Sequence, residues 1–212
     1  MISIHYFTFG PMSENTYILW DETKECVIID PGNYNHSENK QLSDFITKNG
    51  LKPVRLLLTH GHIDHINGNR YVLDTYNLLP EMHQDDIYFI EHHSISANMY
   101  GLKVDQSPMP KVLLSEGDIV TFGNSALEIV YTPGHSPGSI TFFNKADKFM
   151  ISGDVLFYAC IGRTDLPMGN YETLIASIKQ KLLPLGDDMT VYSGHGQETT
   201  IGSERMYNTF LV

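Results

Sequence analysis

The chain has 212 residues, with 25 acidic against 14 basic side chains and a formal net charge of −11. Enzymes and binders of nucleic acid need lysine and arginine to meet phosphates and release counterions, so this balance, without a basic cluster, argues against nucleic acid as a partner. No apolar run approaches the roughly 20 residues of a membrane span, and the opening Met1-Ile2-Ser3-Ile4-His5 lacks the basic and apolar segments of an export signal.

A chain of this length without repeats or linker-like shifts is expected to form a single domain over residues 1–212. Strands are expected at 2–9, 16–20 and 25–29. A helix over 37–49 follows from Leu42, Phe45 and Ile46 at helical spacing, ended by Gly50. The apolar run 54–58 reads as a buried strand that opens into Thr59-His60-Gly61-His62-Ile63-Asp64-His65. Residues 83–111 are the least patterned and are expected to form an excursion or lid over the site. Strand-like runs at 127–131, 149–151 and 190–192 each break into a turn-rich loop. Those loops carry His135, Asp154 and His195 beside glycine or proline, and a short helix-like stretch at 202–208 follows.

The spacing of the first cluster carries chemistry. Neutral imidazole nitrogen and carboxylate oxygen are ligands for zinc, iron and manganese. Residues two apart in extended chain face the same way, so His60 and His62 can reach one ion. Asp64 and His65 continue around the turn towards a second. This pattern points to a two-metal hydrolase, because a structural zinc knuckle would use thiolates. His135, Asp154 and His195, each just past a strand end, supply the remaining ligands. His5, His36, His83, His92 and His93 lack that setting, and His92 and His93 are expected on the surface. Cys26 and Cys160 are expected to pack as free thiols; two distant cysteines give no disulfide framework, in keeping with a cytoplasmic setting.

Together these residues resemble the metallo-β-lactamase superfamily, from Asn15-Thr16-Tyr17 and Ile29-Asp30-Pro31-Gly32 through the H-x-H-x-D-H motif to His195. Within it the chain is most similar to short glyoxalase II-like hydrolases, through Cys160-Ile161-Gly162-Arg163-Thr164-Asp165 and through Gly194-His195-Gly196 followed by Thr199-Thr200-Ile201-Gly202. The resemblance implies an α/β fold, the αβ/βα sandwich of two mixed sheets with helices on the outer faces. It implies one divalent cation at His60, His62 and His135 and a second at Asp64, His65 and His195, with Asp154 bridging them. The ions are expected to be zinc, though iron or manganese suits the same ligands. Asp30 would orient the motif from behind.

The activity implied is hydrolysis of a small-molecule thioester such as S-lactoylglutathione, or of an ester, by attack of a metal-bridging hydroxide. Asp64 would orient that nucleophile or take its proton, with Glu198 or Tyr192 as helpers and Tyr158 or Tyr171 lining the pocket. Arg163 would either meet the carboxylate of the glutathione moiety or pair with Asp165 to shape its loop. The sequence lacks the helical C-terminal extension that supplies much of the glutathione pocket in full-length glyoxalase II. The rival reading is a persulfide dioxygenase holding a single iron at residues matching His60, His135 and Asp154. A secreted β-lactamase fits less well, since that branch has cysteine where Asp154 stands, and a metal-binding non-enzyme fits least.

Overall fold

Strands β1 (Ser3–Phe9), β2 (Glu14–Trp20) and β3 (Glu25–Ile29) fold back on one another as an antiparallel meander. The computed structural model describes residues 1–211. Helix α1 (His36–Lys48), capped by the Asn35 side chain, returns the chain to β4 (Lys52–Leu57), which runs parallel to β3. Helices α2 (Ile63–Ile66) and α3 (Asn69–Tyr76) lead to β5 (Pro80–Met82). Helices α4 (Ile87–Glu91) and α5 (His93–Met99) then precede β6 (Val112–Leu113). These six strands form one sheet in sequence order, the last four parallel.

The second sheet takes β7 (Ile119–Phe122), β8 (Ser125–Tyr131), β9 (Ile140–Asn144), β10 (Phe149–Gly153), β13 (Thr190–Ser193) and β14 (Thr199–Thr200). Its order is β14-β13-β10-β9-β8-β7, antiparallel except where β10 and β13 run together. Between β10 and β13 lie a small hairpin, β11 (Leu156–Phe157) with β12 (Cys160–Ile161), and helix α6 (Tyr171–Ser177), prolonged by tighter and wider turns to Leu185. Helix α7 (Ile201–Tyr207) follows β14.

The two-residue period of strand side chains decides the layers. Tyr17, Leu19, Val27, Ile29 and Leu57 point inward to meet Ile129, Phe142, Phe149 and Ile151 of the second sheet. Their neighbours Ile18, Ile28 and Leu56 point outward and are covered by Leu42 and Ile46 of α1 and Val72 of α3. On the other side Val130, Phe143, Met150 and Val191 are covered by Leu174 of α6, by Ile178 and by Ile201 of α7. The central strands of both sheets are thereby dry on both faces, which is why they read as continuous apolar runs. The result is the expected αβ/βα sandwich. Cys26 faces α1 in the first outer layer, fully buried, and burial pushes its thiol up to about 12.

Two expectations need correction. Strand β2 starts at Glu14, two residues earlier than expected, because Glu14 and Asn15 pair with Phe9 and Thr8 of β1. Glu14 also bridges to His195, and the Asn15 N–H donates to Gly194 O at 2.7 Å. His93 is not a surface residue but is 1% exposed. Its Nδ1 accepts from the Ser107 N–H at 3.0 Å, which leaves Nε2–H to donate to Asn67 Oδ1 at 3.2 Å. The first bond closes the 83–111 excursion on itself, and the second fastens it to the chain just beyond the first histidine cluster.

Candidate metal centre

The C-terminal ends of β3, β4, β10 and β13 and the β8–β9 turn come together at one edge of the sandwich. They bring Asp30, the 60–65 segment, Asp154, His195 and His135 into one cluster. Ring nitrogens of His60, His62 and His135 lie within 4.8 Å of one another, as do donor atoms of Asp64, His65 and His195. Asp154 stands between the two groups. Its Oδ2 is 3.5 Å from His135 Nε2 and 3.6 Å from His195 Nε2, and its Oδ1 is 3.4 Å from His65 Nε2.

Local backbone makes this packing possible. A Cβ on Gly194 would meet Asp154 Oδ1 at 2.2 Å and His65 Cε1 at 2.6 Å, so only glycine lets that loop pass. Gly153 turns the chain at φ +52°, where a Cβ would strike Thr59 Oγ1 at 2.3 Å.

Hydrogen bonds set the tautomers of four imidazoles. His135 Nδ1 donates to Arg163 O at 2.8 Å, and His195 Nδ1 to Ser13 O at 3.1 Å. His65 Nδ1 donates to Asp30 Oδ2 at 3.0 Å. The Thr59 hydroxyl donates to Asp30 Oδ2 at 2.5 Å and so accepts from His60 Nδ1 at 3.1 Å. Each Nε2 is left with a lone pair aimed inward. His62 instead turns Nδ1 to within 2.8 Å of His135 Nε2, and His195 Nε2 lies 3.0 Å from Asp64 Oδ2. A shared proton satisfies each of these approaches, and a divalent cation can stand in its place.

The electrostatics agree. Burial, with the neighbouring imidazoles, holds His60 well below the usual histidine range, and burial with His135 pushes His62 down to about 3. Both imidazoles are therefore neutral at ordinary pH. Burial would raise the Asp64 and Asp154 carboxyls, yet both stay below the ordinary carboxylate range. With no cation bound, the same carboxylates hold His65 and His195 above the ordinary histidine range, so the site draws in positive charge that a proton or a cation can supply. Among the buried polar atoms, His60 Nε2, His65 Nε2 and Asp154 Oδ1 have no hydrogen-bond partner. Inward lone pairs, orphaned buried donors and a carboxylate shared between two clusters fit divalent cations.

Two further carboxylates are buried at the site. Asp86 accepts from the Gly61 N–H at 2.8 Å, the Gly138 N–H at 2.5 Å and Ser136 Oγ at 2.6 Å, clamping the His60–His62 segment to the His135 loop. Glu14, fully buried, lies behind His65 with Oε1 3.9 Å from Nδ1, and burial pushes its carboxyl well above the usual range. Neither has a sequence signal, since each sits in an ordinary-looking polar stretch far from the motif.

The cavity over the cluster has a volume of about 1010 Å³. Helices α4 and α5 of the 83–111 excursion form one wall, as expected of a lid, and the β11–β12 hairpin with the 163–167 loop forms the other. Cys160 corrects its expectation: it is exposed and lines this cavity, because the two-residue strand β12 turns it away from the core. Tyr158 also lines the cavity. Among the described residues lining it, Tyr171, Tyr192 and Glu198 do not appear, and the Tyr192 ring packs instead against Tyr17 and Phe149. Arg163 reaches the cavity, with its guanidinium paired to both oxygens of Asp165 at 2.7 and 2.8 Å.

The family profile of the metallo-beta-lactamase superfamily matches residues 9–195. Hydroxyacylglutathione hydrolase GloC of Haemophilus influenzae is 39% identical, over 99% of this chain and 98% of its own. Two solved structures overlie the fold. BLEG-1 B3 metallo-beta-lactamase does so at TM-score 0.91 and 36% identity, over 99% of this chain and 100% of its own. TTHA1623 in a di-iron-bound form does so at TM-score 0.88 and 34% identity, over 98% and 100%.

Proposed function

The chain belongs to the metallo-β-lactamase superfamily, and from that premise we propose that it is a two-cation hydrolase of thioesters, with S-lactoylglutathione as the reference substrate. His60, His62 and His135 would hold one cation, Asp64, His65 and His195 would hold the other, and Asp154 would serve both. The observation that carries this reading is the position of the Asp154 carboxylate, within 3.6 Å of His135 and His195 and 3.4 Å of His65. Zinc is the proposed metal, while the di-iron form of TTHA1623 supports iron as the alternative. The GloC relative supports the hydroxyacylglutathione assignment.

Two bound cations would supply a deprotonated water at neutral pH and polarise the substrate carbonyl. The protein's own groups do the rest. Asp64, whose free approach is from the cavity, orients the water and takes its proton. The water oxygen forms the new C–O bond, the C–S bond breaks with its electron pair on sulfur, and the departing thiolate receives the proton. Asp30 and the Ser13 and Arg163 carbonyls keep the Nε2 atoms of His65, His195 and His135 aimed at the site during turnover.

The test is S-lactoylglutathione hydrolysis by metal-loaded and chelator-stripped protein in parallel, followed by loss of thioester absorbance. Metal-dependent turnover is expected. No turnover by metal-loaded protein, with oxygen uptake on glutathione persulfide, would replace this reading with the single-iron one.

A further inference from the structure

The walls of the cavity tell what the reacting carbonyl carries. Phe89, Ile95 and Met99 line the lid side, and Phe157, Tyr158 and Ile161 line the hairpin side. Three of these stand open at the mouth, with Ile95 60%, Met99 82% and Tyr158 55% exposed. Large apolar side chains left in water around a polar floor mark a surface that gains from being covered. At the floor, the Phe89 ring meets His62 edge-on at 4.8 Å, and the Phe157 ring lies 6.4 Å from His195. A carbonyl set over the cluster therefore has an aromatic ring at each end, one for the acyl arm and one for the leaving arm.

Charge points the same way. Among the described residues lining the cavity, Arg163 is the one lysine or arginine, and the forked Nε and Nη2 edge of its guanidinium is taken by the Asp165 carboxylate. The other basic group near the mouth, His92, stacks on Tyr88 with ring centroids 4.0 Å apart and has Nδ1 bound to Tyr88 O at 2.8 Å. A glutathione arm brings two carboxylates, which would find one already neutralised cation in a chain of net charge −11. Covering a carboxylate without a partner is costly, whereas covering an alkyl or aryl group here is favourable.

We propose that the preferred substrates are uncharged thioesters with an apolar group on both arms, namely medium-chain or aromatic acyl groups on alkyl or aryl thiols. The proposal rests on the thioesterase reading above and narrows it: a charged thiol carrier is tolerated, an apolar one is selected.

The experiment compares kcat/KM of metal-loaded protein for S-hexanoyl benzylthiol, S-acetyl benzylthiol and S-hexanoyl glutathione. Expected is an advantage of about tenfold or more for the hexanoyl benzyl thioester over each of the others, the scale set by burial of several methylene or ring carbons. Met99→Lys, a change at an exposed position, is expected to lower kcat/KM for the benzyl thioester and raise it for the glutathione thioester. A folding defect would lower both. Equal or better turnover of the glutathione thioester by the unaltered protein would overturn the proposal. If no thioester is turned over, the thioesterase reading fails separately, and calorimetric binding of unreactive benzyl hexyl thioether against S-hexylglutathione decides the pocket's preference. Tighter binding of the thioether upholds an apolar site, and tighter binding of S-hexylglutathione overturns it.

Discussion

Asp30 takes two hydrogen bonds from Thr59, the N–H at 2.7 Å and the hydroxyl at 2.5 Å. The oxygen that receives the hydroxyl also receives His65 Nδ1, so one buried carboxylate fixes both ends of the 60–65 segment. Asp30 does this from φ +50°, a conformation unfavourable for a residue with a Cβ. In Asp30→Asn the amide must turn its NH2 towards one of these donors. Cation affinity is expected to fall about 10- to 100-fold with secondary structure retained, as read by competition with a chromophoric chelator. Unchanged affinity would remove Asp30 from any role in aiming His65.

Asp154→Ala deletes the carboxylate that both clusters share. Turnover is expected to drop by more than about 100-fold, beyond the loss typical of an outer partner, while the far-ultraviolet spectrum stays as it was. Substantial residual activity would mean that Asp154 does not serve the reacting centre.

Arg163 is committed to Asp165 through two exposed hydrogen bonds, and exposed pairs of this kind add little to stability. Arg163→Ala is expected to move KM for carboxylate-bearing and neutral thioesters together, by less than about threefold, as suits a solvent-screened pair. A rise confined to the carboxylate-bearing substrates would give the guanidinium to the substrate instead.

His93 gives the protein an acid-sensitive fastening. Burial pushes its pKa down to about 4, against an ordinary value of 6.5. Between pH 6.5 and 4 the unfolded chain holds a proton there that the folded chain does not. Stability therefore falls as pH drops through that window, by about 1.4 kcal/mol per pH unit at most, and is unaffected by this group above it. His93→Gln can accept from Ser107 and donate to Asn67 without titrating. Urea midpoints from pH 7.5 to 4.5, with chelator present throughout, should fall less steeply in the variant. Parallel slopes would show that His93 is not the group responsible.

The parts of the site legible in the sequence are those governed by local geometry. His60, His62, Asp64 and His65 stand out because their spacing is hard to explain by packing. His135, Asp154 and His195 were found because each follows an apolar run and sits beside glycine or proline. The alternation of Ile18 with Leu19, and of Ile28 with Ile29, is apolar on both faces, and so announced buried strands without saying which face meets which layer. Asp86 and Glu14 were invisible because their partners lie on segments distant in the chain. The burial of His93 is hidden for the same reason: its flanks are polar, and Ser107 and Asn67 close over it only in the folded molecule. Cys160 was misplaced because a two-residue strand has too few positions to show an alternation.

The residues of the cluster divide by origin: Asp30 and the 60–65 segment belong to the first sheet, and His135, Asp154 and His195 to the second. The seam between the two halves of the sandwich is thus closed, at this edge, by the groups proposed to hold the cations. Loading them would rivet one half of the chain to the other, so that separating the halves also means surrendering the metals. The enzyme's durability and its reactivity would then be lost in a single event.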